Sequence, residues 1–233
     1  MKPVLLLIPG MLNDATLWDE VAAEVAPLAP VRIAAPVQAS IAEMAQAAWA
    51  LLADVPPAQP VVIAGFSLGG YVALEMLAHP LRTVRAAALI STSARPDTPE
   101  GAAGRAKTLA AMQRDFAKTV DGIVQWNTCE PPPALVERLA AMMRRVGAET
   151  AARQMHAIAG RADHRDTLAR LALPVAVLCG RHDRTTPPPL SEEIARLVPG
   201  AHCEIVEGAA HMLPVEQPQA VVRSLRSLRS LLL

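Results

Sequence analysis

Short apolar runs alternate along the chain with longer segments in which apolar residues recur every three or four positions. The short runs are mostly apolar on both faces, which is typical of buried strands in a parallel sheet: Val4–Ile8, Val31–Ala35, Val61–Gly65, Ala86–Ile90, Val175–Cys179 and His202–Val206. The segments between them have the apolar spacing of helices: Leu17–Val25, Ile41–Ala53, Leu68–Ala78 and Leu190–Leu197. This alternation predicts a doubly wound α/β domain.

One interval interrupts the alternation. Residues 91–170 contain no convincing strand, but three stretches in them have helical spacing: Arg105–Val120, Ala134–Val146 and Ala148–Ala159. We therefore expect a helical insertion over 91–170, within a core that is formed by residues 1–90 and 171–233. A final helix is expected from about Pro218.

Composition narrows the class of protein. The 233 residues are 52% hydrophobic and 19% charged, with a formal net charge of zero. This is the composition of a globular chain, and it argues against nucleic acid or an anionic membrane as the main partner. The three cysteines have no tight spacing, which argues against a disulfide scaffold or a zinc site.

Targeting signals are not evident in the sequence. No apolar stretch approaches the 18 or more residues of a transmembrane helix. The run Val4–Ile8 is too short for the core of a signal peptide and leads directly into Pro9-Gly10. The expectation is a soluble, cytoplasmic protein.

A candidate nucleophile lies where the third predicted strand meets a helix. Residues 65–69 read Gly-Phe-Ser-Leu-Gly and match the pattern G-x-S-x-G. A serine on such a sharp turn adopts a strained backbone, and the flanking glycines are needed because a β-carbon there would collide with the strand and the helix. The spacing fits neither G-x-G-x-x-G nor a phosphate-binding G-K-[ST] loop, so a nucleotide site is not indicated.

A serine hydroxyl needs a base, and the base needs an orienting carboxylate. His211 follows the last predicted strand in a loop of small residues, at the sheet edge where active sites of open α/β sheets lie. Asp183 follows the fifth strand at the same edge, and Asp97, after the fourth strand, is the alternative carboxylate. We therefore predict a catalytic set of Ser67, Asp183 and His211.

The order serine, aspartate, histidine resembles the arrangement of the α/β-hydrolase family. Residues 60–77, 173–188 and 207–218 are similar to three signature regions of its small esterase and lactonase branch, which includes carboxylesterases, enol-lactonases and carrier-protein methyl esterases. The resemblance implies an α/β-hydrolase fold, with a parallel sheet flanked by helices and a small helical lid. Because the chain starts at what would be the family's third strand, we expect six strands in the order 2-1-3-4-5-6.

One departure from the family concerns the oxyanion hole. The family usually has His-Gly after its first parallel strand, whereas Pro9 stands here in place of the histidine. Oxyanion holes of this kind use backbone N–H groups, so the chemistry can survive the change. The donors we expect are the amides of Met11 and Leu68.

The expected function is cleavage of a carboxylic ester, or a related acyl bond, by a serine hydrolase that acts through an acyl-enzyme. No metal or organic cofactor is expected. The sequence also leaves open a thioesterase, a C–C bond hydrolase, a cofactor-free haloperoxidase or perhydrolase, and a non-catalytic binding protein on the same fold. It does not determine the oligomeric state.

The substrate is expected to be small and largely apolar. Methionines and aromatics of the insertion and of the loops below it are suited to an adaptable apolar pocket, and no pair of arginines is spaced to clamp a phosphate. The candidate substrate-binding residues are Leu12, Trp126, Met155 and Met212.

Overall fold

The computed structural model describes residues 2–230 of the chain; Met1 and residues 231–233, which the predicted core includes, lie outside the described residues. Six parallel strands form one sheet in the order β2-β1-β3-β4-β5-β6, as the sequence predicts. The strands are β1 (Val4–Ile8), β2 (Val31–Ile33), β3 (Val61–Phe66), β4 (Val84–Ile90), β5 (Val175–Gly180) and β6 (His202–Val206).

Helices flank both faces of the sheet. After a 3₁₀ turn at Ala15–Trp18, the helices of the core are α1 (Asp19–Val25), α2 (Ile41–Ala50), α3 (Leu68–Ala78), α9 (Pro188–Leu197), α10 (Leu213–Glu216) and α11 (Pro218–Ser230). Those of the insertion are α4 (Pro99–Arg114), α5 (Phe116–Asn127), α6 (Pro133–Val146), α7 (Ala148–Ala159) and the short α8 (Arg165–Ala169).

Two apolar clusters, one on each face of the sheet, hold the layers together. One joins α1 and α11 to the sheet and to the insertion, and the other joins α2, α3 and α9 to the opposite face. Every residue of β1, β3 and β5 is buried. This explains why these strands are apolar at every position rather than at alternate positions.

The insertion differs from the sequence prediction at its start. The single helix expected over Arg105–Val120 is two helices, α4 and α5, which meet at Asp115. Asp115 has an extended backbone, and its carboxylate accepts a hydrogen bond from the N–H of Lys118 at 3.0 Å, so it caps α5. The short helices α8 and α10 were not predicted because five and four residues are too few to show a period.

Residues 91–170 are all described, and they contain no strand. The segment Pro99–Ala159 is almost continuously helical. Among residues 2–230, no helix is long and apolar enough to cross a membrane.

Candidate active site

Ser67 lies on the turn between β3 and α3 with φ 53° and ψ −114°. A positive φ is costly for any residue with a side chain, by about 1–3 kcal/mol. A β-carbon on Gly65 would lie 2.2 Å from the carbonyl oxygen of Gly69, and one on Gly69 would lie 2.1 Å from that of Ile8. The two glycines therefore allow strand and helix to approach closely enough for the turn.

Backbone contacts hold the turn from both sides. The N–H of Ser67 donates to the carbonyl of Ile90 on β4 at 2.9 Å. Its own carbonyl accepts a hydrogen bond from the hydroxyl of Thr92 at 2.9 Å. The strained serine is thus fixed by the strand next to it.

The structure brings Ser67, His211 and Asp183 together in one chain of hydrogen bonds. His211 Nε2 lies 3.0 Å from Ser67 Oγ, and His211 Nδ1 lies 2.8 Å from Asp183 Oδ2. His211 and Asp183 are both buried. In the arrangement that suits these contacts, Nδ1–H donates to the carboxylate and Nε2 accepts the serine proton.

Asp183 is held by five hydrogen-bond donors, which include His211 and, at 3.8 Å, the thiol of Cys179. Its Oδ1 accepts the backbone N–H groups of Thr185 and Thr186, each at 2.8 Å, and the Thr186 hydroxyl donates to Oδ2 at 3.0 Å. Burial acts to raise the pKa of Asp183, but the charge and hydrogen bond of His211 and the two backbone donors outweigh it, so the pKa lies below its usual value. The carboxylate is thus kept ionised beside the imidazole.

The alternative carboxylate, Asp97, is engaged elsewhere. It forms ion pairs with Arg105 and with Arg161, the latter at 3.2 Å. Within residues 2–230 it makes no hydrogen bond or ion pair with His211. The structure therefore favours Asp183 as the partner of the histidine.

Glu216 ties the histidine loop to the insertion. One carboxylate oxygen accepts the N–H of Ala210 at 3.0 Å, and the other accepts the N–H of Cys129 at 2.6 Å. Burial raises the pKa of Glu216. No sequence argument pointed to this residue, since its role depends on a contact between segments 87 positions apart.

The two amides predicted for an oxyanion hole are available. Met11 follows β1, and Leu68 is the first residue of α3, where the helix dipole adds a partial positive charge. Within the described chain, neither N–H takes part in a backbone or side-chain hydrogen bond. The next amide, that of Leu12, donates instead to Oε1 of Gln154 at 2.9 Å.

Gln154 is a second residue that sequence reasoning missed. Its side chain is almost completely buried, and its Nε2 donates to the carbonyl of Pro36 at 2.6 Å. Leu12 itself has φ 60°, so the loop next to Met11 is strained and is held by this one amide of α7.

A cavity of about 350 Å³ opens beside Ser67 and His211. Of the four predicted substrate-binding residues, only Met212 lines it; Met11, Ile123, Met143 and Ile158 are further apolar lining residues. Leu12 and Met155 are buried in the apolar cluster instead.

Trp126 lies outside the cavity, contrary to the prediction. It is half exposed, and its ring stacks on the guanidinium of Arg184 at 4.3 Å. The α5 face that carries Trp126 points outward, whereas Val120 and Val124 face the core.

The cavity also has a charged wall that the sequence spacing did not indicate. Arg105, Arg161 and Asp97 line it, and Tyr71 lies beside them with its ring 4.8 Å from the guanidinium of Arg161. The two arginines are 56 positions apart, so no local pattern indicates that they meet. Both pair with the same carboxylate.

The fold and the serine turn are those of an α/β hydrolase, and comparison with known proteins agrees. A family model described as "Alpha/beta hydrolase family" matches residues 5–224. The chain therefore belongs to the α/β-hydrolase family.

Individual relatives are esterases and other hydrolases. A thermophilic esterase from Thermogutta terrifontis, in a malate-bound structure, is 26% identical with a TM-score of 0.87, covering 97% of this chain and 88% of its own. A hydrolase from Pseudomonas aeruginosa PA01 is also 26% identical, with a TM-score of 0.83 and coverages of 97% and 89%.

A curated relative from Neisseria meningitidis serogroup A is a pimeloyl-[acyl-carrier protein] methyl ester esterase. It is 34% identical over 170 residues, which is 68% of this chain and 54% of the relative. The chain thus matches about half the length of that protein.

Proposed function

We propose that the protein is a serine esterase that cleaves small carboxylic esters through an acyl-enzyme. The observation that carries this proposal is the unbroken contact from Asp183 through His211 to Ser67 at the wall of a cavity. The esterases among its relatives support the same reaction class. A pure binding protein would have no use for the strained serine, because its backbone cost brings no gain in binding.

In the proposed mechanism, Ser67 Oγ attacks the ester carbonyl while His211 Nε2 takes up its proton. The amides of Met11 and Leu68 bind the oxyanion that forms, and removal of one such donor typically costs about 2.7–4 kcal/mol in the barrier. Asp183 holds the imidazole in the tautomer that accepts at Nε2 and stabilises the imidazolium.

The imidazolium next protonates the leaving alkoxide, which departs as an alcohol. Water then attacks the acyl-enzyme with His211 again as base, and the carboxylic acid is released. Every proton in this cycle passes through His211 Nε2. Each step uses only the substrate, water, these side chains and the two backbone amides.

The insertion at residues 91–170 is proposed to act as a lid on a core of residues 1–90 and 171–233. Ile123, Met143 and Ile158 of the insertion line the same cavity as Ser67. A cavity of about 350 Å³ suits a short acyl group, since it is near the lower end of the range for small-molecule sites. The malate in the structure of the Thermogutta esterase is similar in size to such an acyl group.

Labelling with a fluorophosphonate probe tests the proposal. The probe should form a covalent adduct on Ser67, found by peptide mass spectrometry, and the Ser67→Ala variant should not be labelled. Ser93 also lines the cavity, so the Ser93→Ala variant is the matched control and should be labelled like the parent. An unlabelled parent protein that is folded would favour a non-catalytic binding protein.

A further inference from the structure

The charged wall of the cavity carries one more positive charge than its acidic groups balance. Arg95 also lines the cavity, but it is paired with Glu193 through two bonds of 2.8 and 2.9 Å. That leaves Arg105 and Arg161 to share one carboxylate, that of Asp97. Among the described residues that line the cavity, Asp97 is the only acidic one.

The two arginines differ in how fully their donors are used. Arg161 uses four of its five N–H donors: its nitrogens donate to the carbonyls of Arg95, Pro96 and Ile158 as well as to Asp97. Its hydrogen bonds therefore hold the loop after β4 in place. This use leaves it little capacity for a ligand.

Arg105 uses fewer of its hydrogen-bond donors than Arg161 does. Its pairing with Asp97 is its one polar contact within residues 2–230, and its Nε is buried without a hydrogen-bond partner. Burial and the charge of Arg161 both lower the pKa of Arg105, and the carboxylate that pairs with Arg105 is shared with Arg161. The attraction between a guanidinium and an anion is stronger in this position than in water, because the surroundings screen the charges less.

Tyr71 adds a second donor to the same wall. Its ring is buried under Arg161, and burial raises the pKa of its hydroxyl, which therefore stays protonated. Its hydroxyl makes no hydrogen bond in the part of the chain that the structure describes, and the residue lines the cavity. A planar anion that meets Arg105 can also accept this O–H.

We propose that Arg105, with Tyr71 beside it, binds a free carboxylate of the substrate, so that the preferred esters are short monoesters of dicarboxylic acids. This inference rests on the proposed esterase function. The apolar lining accommodates the methylene chain, while the guanidinium holds the far end and places the ester carbonyl at Ser67. Arg105 is thus a specificity-determining residue on α4, away from the reacting atoms.

Two substrates of matched shape test the inference: monomethyl glutarate, which is an anion at neutral pH, and dimethyl glutarate, which is neutral. For the parent protein, kcat/KM should be higher for the monoester by roughly 10- to 100-fold, the range expected for a hydrogen bond to a charged group. In Arg105→Met the ratio should fall to about one, mainly through the KM of the anion.

Matched controls separate a binding role from a structural one. Arg144, on the same insertion, pairs with Asp121 at 2.5 Å on an exposed surface, so Arg144→Met should keep the parent ratio. Arg105→Lys keeps the charge and should keep part of the preference. If Arg105→Met does not fold, inhibition of the parent protein tests the carboxylate site instead. Glutarate should inhibit the hydrolysis of dimethyl glutarate more strongly than neutral glutaramide does.

The outcomes distinguish the two proposals. If neither ester is hydrolysed above the level of Ser67→Ala, the esterase function itself is wrong. If both esters are hydrolysed but the parent shows no preference for the anion, or Arg105→Met retains the preference, the carboxylate site is wrong and the esterase function stands. Equal inhibition by glutarate and glutaramide would also overturn the carboxylate site.

Discussion

Gln154 on helix α7 accepts the backbone N–H of Leu12 through its side-chain oxygen at 2.9 Å, and this contact joins the insertion to the loop that carries the proposed oxyanion donor Met11. Leu12 is held with φ 60°, a conformation that needs support from its surroundings. The insertion is therefore hydrogen-bonded directly to the loop that follows β1.

Gln154→Met should lower kcat by about 10- to 100-fold with a smaller change in KM, since a displaced oxyanion donor weakens transition-state binding above all. Steady-state kinetics on a short ester measure this, with circular dichroism to show that the variant is folded. His156→Met, which replaces an exposed side chain of the same helix, is the control and should change kcat little. A Gln154→Met variant with parental kcat would mean that the loop keeps its shape unaided.

Ser67→Ala, Asp183→Asn and His211→Ala should each reduce kcat by about 10⁴- to 10⁶-fold while leaving the fold intact, because members of a catalytic set act as a unit. The comparison that decides the carboxylate is Asp97→Asn. It should retain far more activity than Asp183→Asn, since Asp97 contacts arginines rather than the histidine. If Asp97→Asn were instead the less active variant, Asp97 would be the carboxylate that supports His211.

Gly180→Ala should destabilise the protein by about 1–3 kcal/mol or more, the range for overpacked sites. A β-carbon there would lie 2.1 Å from the carbonyl of Ala210, which precedes His211, so activity should fall with stability. Gly122→Ala is the matched control: its β-carbon would meet open space in α5, and alanine should stabilise the helix by about 1 kcal/mol. Urea denaturation of both variants gives the two free energies of unfolding.

The pH dependence of stability follows from the lowered pKa of Asp183. A carboxyl whose pKa is lower in the folded state stabilises the fold above its unfolded pKa, which is near 3.8, and loses that contribution as the pH falls through its folded pKa. The difference in free energy of unfolding between parent and Asp183→Asn should therefore shrink below about pH 3.8. A difference that grows on acidification would contradict the assigned direction of the shift.

Chain length should limit the substrate. The cavity has a volume of about 350 Å³ and Ile123, Met143 and Ile158 of the insertion form part of its wall, so p-nitrophenyl acetate and butyrate should be hydrolysed with a higher kcat/KM than the palmitate ester. A kcat/KM that rises steadily from acetate to palmitate would indicate an open groove and a lipase-like site.

The sequence predicts the fold well because the inner strands β1, β3 and β5 are buried on both sides and are therefore continuously apolar. The bounds of Val4–Ile8, His202–Val206 and the helix Leu68–Ala78 agree with the structure residue for residue, and so does the strand order. Chain order and strand ends also sufficed to select Ser67, Asp183 and His211, which the structure brings within hydrogen-bond reach.

The lining of the cavity could not be predicted in the same way. The apolar spacing of a helix shows that one face packs, but it does not show against what, so Met155 joins the core while Met143 of the neighbouring helix reaches the cavity. The meeting of Arg105 with Arg161 depends on how four helices fold back on one another. Such contacts arise from tertiary packing and leave no local signal.

The pairing of Trp126 with Arg184 provides an intrinsic fluorescence probe of the contact between the insertion and the core. Trp126 is on the insertion and Arg184 on the core, and the guanidinium also donates to the carbonyl of Trp126 at 2.8 Å. The other two tryptophans, Trp18 and Trp49, are buried within the core. With both replaced by phenylalanine, the fluorescence of the remaining indole would respond to its separation from the cation, so any movement of the insertion relative to the core could be followed in real time without an attached dye.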